Sequence, residues 1–344
     1  MRTLRLGVIG AGRMGITHYS IINSHPKVKI CSIADPSVMV TSLMGKYLEG
    51  LETFKDYNKM LKKVDLDAVL VCTPPGLHHE IIKQCAALNL HVFVEKPFTT
   101  SKVEAEELVK LYKDNGLVNQ VGYVNRFNDV FIKAKQWIEE GLIGDVIRFK
   151  SEMFSCTVIE PVEESGWRST RENGGGVVFE MASHAIDLVN YLVGKPDKVI
   201  GTSLNSIFSK NVEDIVSSTF LYDKGTSGTI YVNWSDESYR KPTNKIEIFG
   251  SKGKLLADQH GMKIYLREAK PEMKLSKGWN TIYITDVFKP VPFYVRGNEF
   301  TRQLYEFTEA ILNDKKSSTC SFSDGLETLD VIDSLFKDSN SNSF

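Results

Sequence analysis

The chain has few cysteines, and their arrangement argues against two kinds of site. Five occur in 344 residues, an odd number, and none stands in a CxxC motif. Their wide spacing argues against a disulfide framework and a zinc site, and it favours reduced thiols in a cytoplasm. The five are Cys31, Cys72, Cys85, Cys156 and Cys320.

An excess of one charge is also absent. Lys and Arg number 42 and Asp and Glu 43, so the formal net charge is −1. No long run of one sign occurs that would follow a phosphate backbone or an anionic lipid surface. Nucleic acid and membrane partners are therefore not expected.

Long hydrophobic runs are missing as well. No apolar segment approaches the roughly 20 residues of a membrane span. The opening stretch "MRTLRLGVIGAG" has basic residues before a short apolar run, but glycines follow at once. We interpret it as a strand rather than a signal peptide.

The length of the chain predicts two domains, because a single hydrophobic core stops growing near about 250–300 residues. Residues 1–122 alternate short β-branched runs with helical patterns, which is typical of a doubly wound parallel sheet in an α/β fold. The predicted strands are 5–10, 29–35, 67–73, 91–97 and 118–123, and the predicted helices are 13–24, 37–48, 56–63, 77–89 and 101–115.

The pattern of apolar and polar residues changes from residue 123 onward. We expect residues 123–338 to form an α+β domain with a large open, mostly antiparallel sheet, because many segments alternate apolar and polar residues across glycine-containing turns. Residues 339–344 form a polar tail. The predicted elements are a helix over 127–141, a strand over 145–154, a helix over 177–193, a β-rich region over 198–285 and helices over 299–313 and 324–337.

A glycine motif directly follows the first predicted strand. "GVIGAGRMG" places glycines in a G-x-G-x-x-G pattern at the start of a helix, and Asp35 ends the next strand. Such a loop lets a pyrophosphate approach the helix N-terminus, and the acidic residue binds the ribose hydroxyls. No arginine follows Asp35 to accept a 2′-phosphate, so NAD is favoured over NADP. The expected cofactor residues of the loop are Gly10, Gly12, Arg13, Met14 and Gly15.

Two further motifs stop strands at the edge where open α/β sheets bind ligands. In "CTPPGLHHE", Thr73, Pro74 and His78 are expected to line the cofactor, and a rigid turn with a helix cap is the alternative. In "VEKPF", Glu95 and Lys96 are either an ion pair on an edge strand or a lysine directed at the nicotinamide position and oriented by the glutamate.

The stretch "GGGVVFEMASHAIDL" puts ionisable residues on an otherwise apolar helix. Glu180, His184, Asp187 and Tyr191 recur at steps of 4, 3 and 4 and share one face. A catalytic stripe and a buried structural network both remain open. The three glycines before the helix suggest a close backbone approach, with the cofactor as the expected neighbour. A second, apolar stripe is expected to face a core, and it contains Val177, Met181, Ala185, Leu188 and Leu192.

Taken together, the motifs resemble the Gfo/Idh/MocA oxidoreductases. "GVIGAGRMG", "DAVLVCTPPGLHHE", "EKPF", "VGYVNRFNDVF", "GLIGDV" and the glycine-rich helix occur in family order along nearly the whole chain. The resemblance implies a Rossmann domain followed by an α/β domain whose open sheet faces a partner subunit, as a homodimer or homotetramer. It also implies a Lys–Pro peptide that is usually cis.

The resemblance also implies roles for single residues. His184 would take the hydroxyl proton of the substrate, Lys96 would hold that hydroxyl, and Asp187 would orient the imidazole. Glu180 stands where the family usually has an aspartate, so its substrate contact is less secure. Other expected substrate contacts are Tyr123, Arg126, Trp167 and Arg168, and a helix start is the alternative for the first two.

The function that these expectations support is an NAD-dependent dehydrogenase. It would interconvert a secondary alcohol and a ketone on a sugar, with or without an attached nucleotide, or on a cyclitol. One alternative is a sugar oxidoreductase that retains its cofactor between turnovers. Another is a non-catalytic nucleotide or sugar sensor on the same scaffold, and no metal is expected in any of the three.

Overall fold

The computed structural model describes residues 3–48, 50–161, 167–293, 297–315 and 317–341. In chain order the helices are α1 Arg13–Ile22, α2 Val38–Tyr47, α3 Tyr57–Lys63, α4 His78–Ala87, α5 Lys102–Asp114, α6 Asp129–Glu139, α7 Ser183–Leu192, α8 Ile284–Val287, α9 Asn298–Leu312 and α10 Phe322–Ser341. The strands are β1 Leu4–Ile9, β2 Val28–Ala34, β3 Glu52–Phe54, β4 Ala68–Val71, β5 His91–Val94, β6 Asn119–Val121, β7 Val146–Phe154, β8 Lys198–Asn205, β9 Ile215–Leu221, β10 Ser227–Asn233, β11 Thr243–Gly250, β12 Gly253–Ala257, β13 Gly261–Leu266 and β14 Gly278–Tyr283.

The chain divides into two compact units. The first runs to Val124 and includes Pro290–Leu326, and the second comprises Asn125–Lys289 and the residues from Glu327 onward. The predicted domain limits of 1–122 and 123–338 are therefore corrected, because residues 290–326 belong to the first unit. These residues belong to the first unit because the apolar face of α9, with Leu304 and Phe307, packs into the core of the first sheet.

The first unit is built on a six-stranded parallel sheet in the order β3-β2-β1-β4-β5-β6. Its central strands are short apolar runs, and β4 is buried along its whole length. Two of its helices have side-chain caps, since the side chains of Ser37 and Asp56 accept hydrogen bonds from the first turns of α2 and α3. The doubly wound parallel sheet is confirmed.

The second unit contains an eight-stranded sheet in the order β14-β13-β12-β11-β7-β10-β9-β8. Only β7 and β10 pair in parallel, and all the other neighbours are antiparallel. This confirms the predicted large, mostly antiparallel sheet. Strands β9 to β11 alternate buried and partly exposed residues, which is the pattern of a sheet covered on one face.

The other face of this sheet carries charges and aromatic rings. Lys150 pairs with Glu152, and Lys254 pairs with Glu247, each at 2.6 Å. Exposed rings include Trp279, whose ring packs edge-on against that of Tyr265. The expectation that a partner subunit covers this face stays a prediction. Among the described residues, none of the helices is both long and apolar enough to span a bilayer.

Candidate active site

In the glycine loop after β1, neighbouring backbone atoms leave no space for a Cβ at two of the three glycines. Gly10 has φ +93°, and a Cβ added there would lie 2.7 Å from the carbonyl oxygen of Cys72. A Cβ on Gly15 would lie 1.8 Å from the carbonyl oxygen of Gly10. Gly12 differs, because its Cβ position has no atom within 4 Å and faces open space. Two of the glycines therefore allow the turn to close, and the third leaves room for a ligand.

The start of α1 fits the phosphates of a dinucleotide. Gly12 is its N-cap and supplies no side-chain hydrogen bond, so the first N–H groups are open to an anion. Arg13 is exposed and Met14 is half-buried in the first turn. The structure thus places the motif where the sequence analysis expects it.

Asp35 lies half-buried beyond the end of β2, and backbone donors fix both of its carboxylate oxygens. Oδ2 accepts a hydrogen bond from the amide of Ala11 at 2.7 Å, and Oδ1 accepts one from the amide of Ser37 at 2.8 Å. Each carboxylate oxygen retains a further lone pair, so the group can also accept from ribose hydroxyls. These residues fit NAD.

The β4 exit contains Thr73, which is half-buried, and Pro74, which is exposed. The His78 ring is fully buried instead. Its Nδ1 lies 3.0 Å from the carbonyl oxygen of Pro97, and its Nε2 lies 2.9 Å from that of Thr73. Burial lowers the pKa of His78 despite these carbonyls. The expected cofactor contact of His78 is corrected accordingly: the ring holds two loops together beneath the surface.

At the end of β5, Glu95 and Lys96 are both partly exposed. Strand β5 lies between β4 and β6, so the alternative of an ion pair on an edge strand is wrong. The Lys96–Pro97 peptide is cis, as the resemblance implies. Lys96 therefore stands at the carboxyl edge of the sheet, where this fold class binds ligands.

In the second unit, the glycine-rich helix begins with a π-helical turn, Val178–Ala182, before α7. Such turns are frequent at functional sites. Within α7 only His184 and Tyr191 are partly exposed, and every other residue is buried. The predicted apolar stripe is buried as expected, and it contains Val177, Met181, Ala185, Leu188 and Leu192.

Asp187 forms a buried ion pair with Arg126. The guanidinium Nε lies 3.0 and 3.1 Å from the two carboxylate oxygens, and one terminal nitrogen lies 2.8 Å from Oδ1. Arg126 also lies over the ring of Tyr191, at 5.3 Å. Arg126 is 4% exposed, so its expected substrate contact is corrected to a structural one that anchors α7. A hydrogen bond from Asp187 to the His184 imidazole stays a prediction.

The last of the three glycines before this helix makes room for a carboxylate of the same unit. Gly176 has φ +93°, and a Cβ there would lie 2.3 Å from Oε1 of Glu213. That oxygen accepts from the amide of Val178 at 3.1 Å, and Oε2 accepts from Arg171 at 3.0 Å. Burial raises the pKa of Glu213, although the nearby guanidinium opposes this. At Gly176 the close neighbour is the Glu213 carboxylate, and an approach of the cofactor to the start of this helix stays a prediction.

Replacing Gly176 with alanine is expected to destabilise the chain by roughly 3 kcal/mol, because it adds backbone strain and displaces the Glu213 carboxylate. Gly225→Ala is the matched control, since Gly225 has φ +88° and open space at its Cβ position. That variant is expected to cost about 1 kcal/mol. Urea titrations give both values, and equal losses would contradict the role assigned to Glu213.

The other residues that are expected to contact the substrate differ in their exposure. Glu180 is partly exposed, and its Oε1 lies 3.4 Å from a terminal nitrogen of Arg168. Tyr123 is fully buried, so a direct substrate contact is not supported by its position. The side chain of Trp167 lies outside the described part of the structure. Within the described ranges, no cluster of three or more His, Cys, Asp or Glu side chains is arranged to hold a metal.

Comparison with known proteins gives two family matches along the chain. Residues 4–123 match the oxidoreductase family with an NAD-binding Rossmann fold, and residues 131–256 match the GFO/IDH/MocA C-terminal domain. The chain is 27% identical to the scyllo-inositol 2-dehydrogenase (NAD(+)) of Bacillus subtilis, over 91% of this chain and 87% of the relative. It is 26% identical to the myo-inositol 2-dehydrogenase of Thermotoga maritima, over 74% of this chain and 75% of the relative.

A solved structure of levoglucosan dehydrogenase in complex with NADH and levoglucosan has the same fold. Its TM-score to this chain is 0.88 at 21% identity, over 99% of this chain and 98% of the other. The family matches, the parallel sheet with its glycine loop, and the lysine at the end of β5 agree with one another. The chain is an NAD-binding oxidoreductase that belongs to the Gfo/Idh/MocA family.

Proposed function

We propose that the protein is an NAD(H)-dependent dehydrogenase that interconverts a secondary alcohol and a ketone on a cyclitol or a sugar. The observation that carries this proposal is the partly exposed imidazole of His184 on a helix whose other residues, except Tyr191, are buried. The inositol and levoglucosan dehydrogenases among its relatives support a cyclic polyol as the substrate class.

Lys96 and His184 have complementary roles in this proposal. NAD bound at the glycine loop and Asp35 would supply the hydride acceptor for oxidation of the carbinol carbon. Lys96 donates a hydrogen bond to the substrate hydroxyl and stabilises the negative charge that develops on its oxygen. His184 takes the hydroxyl proton as a general base and returns it when the reaction runs in reverse.

Rigid support for His184 comes from Asp187, three residues further along α7. The Nε of Arg126 lies within hydrogen-bonding distance of both carboxylate oxygens, so the face that carries His184 cannot rotate without breaking a buried ion pair. We propose that this anchor keeps the imidazole oriented for proton transfer.

The partly exposed pair of Glu180 and Arg168 suits recognition of hydroxyl groups. A carboxylate accepts from hydroxyls and a guanidinium donates to them, so the pair can bind two neighbouring hydroxyls of a ring. Glu180 is one methylene longer than the aspartate expected at this position. We therefore propose that Glu180 shifts the preference of this enzyme among related cyclic polyols.

Replacing Asp35 with serine is expected to lower kcat/KM for NAD by about 100-fold and to raise the ratio of NADP to NAD use, because it removes both the ribose acceptor and the charge that repels a 2′-phosphate. Asp114→Ser is the control, since Asp114 is exposed at the end of α5. Initial rates with both cofactors measure the change. An Asp35→Ser variant that keeps the NAD preference would contradict this role.

A substrate screen tests the proposal directly. The protein is mixed with NAD or NADP and with myo-inositol, scyllo-inositol, levoglucosan, free hexoses or UDP-sugars, and the absorbance of the reduced cofactor is followed. We expect turnover of cyclic polyols with NAD. Tight NADH binding without turnover of any compound would instead favour a sensor, and release of stoichiometric nucleotide on denaturation would favour a cofactor-retaining enzyme.

A further inference from the structure

A buried histidine lies directly beneath the carboxyl end of β5. His18 belongs to α1, the helix that follows the glycine loop, and its side chain is fully buried. Its Nε2 lies 2.5 Å from Oε1 of Glu95, and its ring packs edge-on against Phe93 at 5.1 Å. This contact joins the helix of the dinucleotide loop to the residue that precedes Lys96.

The Glu95 carboxylate connects this histidine to the main chain of Lys96. Its Oε2 accepts a hydrogen bond from the amide of Lys96 at 3.3 Å. A Cβ on Gly122 would lie 3.3 Å from Oε1, so the glycine leaves the space that the carboxylate needs. Burial alone would raise the pKa of Glu95, but the hydrogen bond from His18 and the charge of Lys96 lower it. The carboxylate is thus kept ionised as an acceptor.

The surroundings of the two ring nitrogens of His18 indicate which nitrogen carries the proton. Nδ1 of His18 is buried and has no hydrogen-bond partner among the described residues, whereas Nε2 faces a carboxylate. A neutral imidazole has one N–H, and placing it on Nε2 makes the strong hydrogen bond. A proton on Nδ1 would be buried without an acceptor, which is costly. The charge of Glu95 also acts on the side chains of Cys72 and His78, where it acts to raise the pKa.

We propose that His18 is a positioning residue that holds Glu95, and through it the main chain of Lys96, in register with the start of the dinucleotide-binding helix. Its role in turnover rests on the proposed function of Lys96. Because His18 lies on the same helix as the phosphate-binding turn, a displacement of α1 moves the support of Lys96 as well. His18 therefore couples the cofactor loop to the catalytic lysine.

His18→Leu removes the donor, and His18→Gln keeps an amide donor at about the reach of Nε2 without a titratable group. We expect His18→Leu to lower kcat about 100-fold, since small misplacements of a catalytic group have effects of this size. His18→Gln is expected to restore kcat to within about fivefold of the wild type. His25→Leu is the matched control, because it removes another buried imidazole of the same unit, one that packs on Phe293 and Tyr305.

Two measurements are independent of activity. Hydrogen exchange at the amide of Lys96 is expected to become about tenfold faster in His18→Leu but not in His25→Leu, because one hydrogen bond to a charged group is loosened. Nitrogen-15 NMR of the wild-type chain is expected to show the His18 proton on Nε2. Both measurements test the contact of His18 with Glu95 even if the protein turns over no polyol. A failure of the proposed function can therefore be distinguished from a failure of this inference.

The inference is overturned by any of three results. The first is a His18 proton found on Nδ1 alone in the wild-type chain. The second is wild-type exchange at Lys96 in His18→Leu. The third is faster exchange with an unchanged kcat, which would make the contact structural only. The NMR measurement needs no variant, so it remains decisive if a substitution prevents folding.

Discussion

Lys96→Met is expected to lower kcat/KM for the polyol substrate by about three orders of magnitude. The substitution removes the hydrogen-bond donor that stabilises the substrate oxygen as hydride leaves, and a lost donor of this kind accounts for about 100- to 1,000-fold. The loss of its charge beside Glu95 adds to this effect, because Lys96 lowers the pKa of that carboxyl. Initial-rate kinetics with the best substrate of the screen measure the change.

The control for this prediction is Lys113→Met. Lys113 is an exposed lysine near the end of α5, so its replacement removes the same charge and leaves the β5 exit intact. We expect its rates to match those of the wild type. If Lys96→Met kept wild-type kcat/KM, the proposed catalytic role of the lysine would be abandoned.

Asp187→Ala is expected to destabilise the second unit by about 3–5 kcal/mol, because it leaves the buried guanidinium of Arg126 without its counter-charge. The two side chains are 1% and 5% exposed, so water cannot replace the lost partner at low cost. Urea or thermal unfolding measures the loss. Kinetics at temperatures where the variant stays folded then show whether the orientation of His184 also suffers.

Two comparisons make the ion-pair prediction specific. Removing both charges in Asp187→Leu with Arg126→Met is expected to be far less harmful than Asp187→Ala, since no buried charge is left unpaired. Glu52→Gln breaks the exposed pair of Lys63 and Glu52 and is expected to cost no more than about 1 kcal/mol. A single-variant loss as small as this surface control would contradict the anchoring role of Asp187.

The parts of the fold that the sequence predicts are those governed by local patterns. The first sheet follows from short continuous apolar runs, the glycine loop from its motif, and the apolar stripe of the helix at 177–193 from a periodicity of about four residues. Strand β3 was not predicted, because its residues, Glu52–Phe54, form no apolar run. The π-helical turn was also missed, since an apolar helix pattern does not reveal a single wider turn.

Contacts that join distant parts of the chain could not be predicted. The partner of Asp187 is 61 residues away, and Glu213 lies 37 positions beyond the glycine it requires. The sequence contains one indication of Glu213, which forms an acidic pair with Asp214 directly before strand β9. Asp214 accepts hydrogen bonds from the amides of a neighbouring loop and from Trp234, so both acids are structural anchors of the second unit.

The same argument explains why the substrate residues were the least predictable. Tyr123 and Arg126 lie at the junction of the two predicted domains, but that position in the sequence does not show whether a side chain faces solvent or a core. Burial decides that question, and it depends on packing from elements far away in the chain. Lys96 and His184 each interrupt a strongly apolar pattern with an ionisable group and are partly exposed, and their catalytic roles stay predictions.

We propose that the protein moves a hydride from a carbinol carbon of a cyclic polyol to NAD. The most direct test uses a cyclitol or sugar from the screen that carries deuterium on its carbinol carbons, incubated with the protein and unlabelled NAD. We expect the NADH formed to carry one deuterium on the nicotinamide ring, which mass spectrometry and NMR detect. NADH formed without deuterium, or none formed with any substrate class while the cofactor binds tightly, would contradict it.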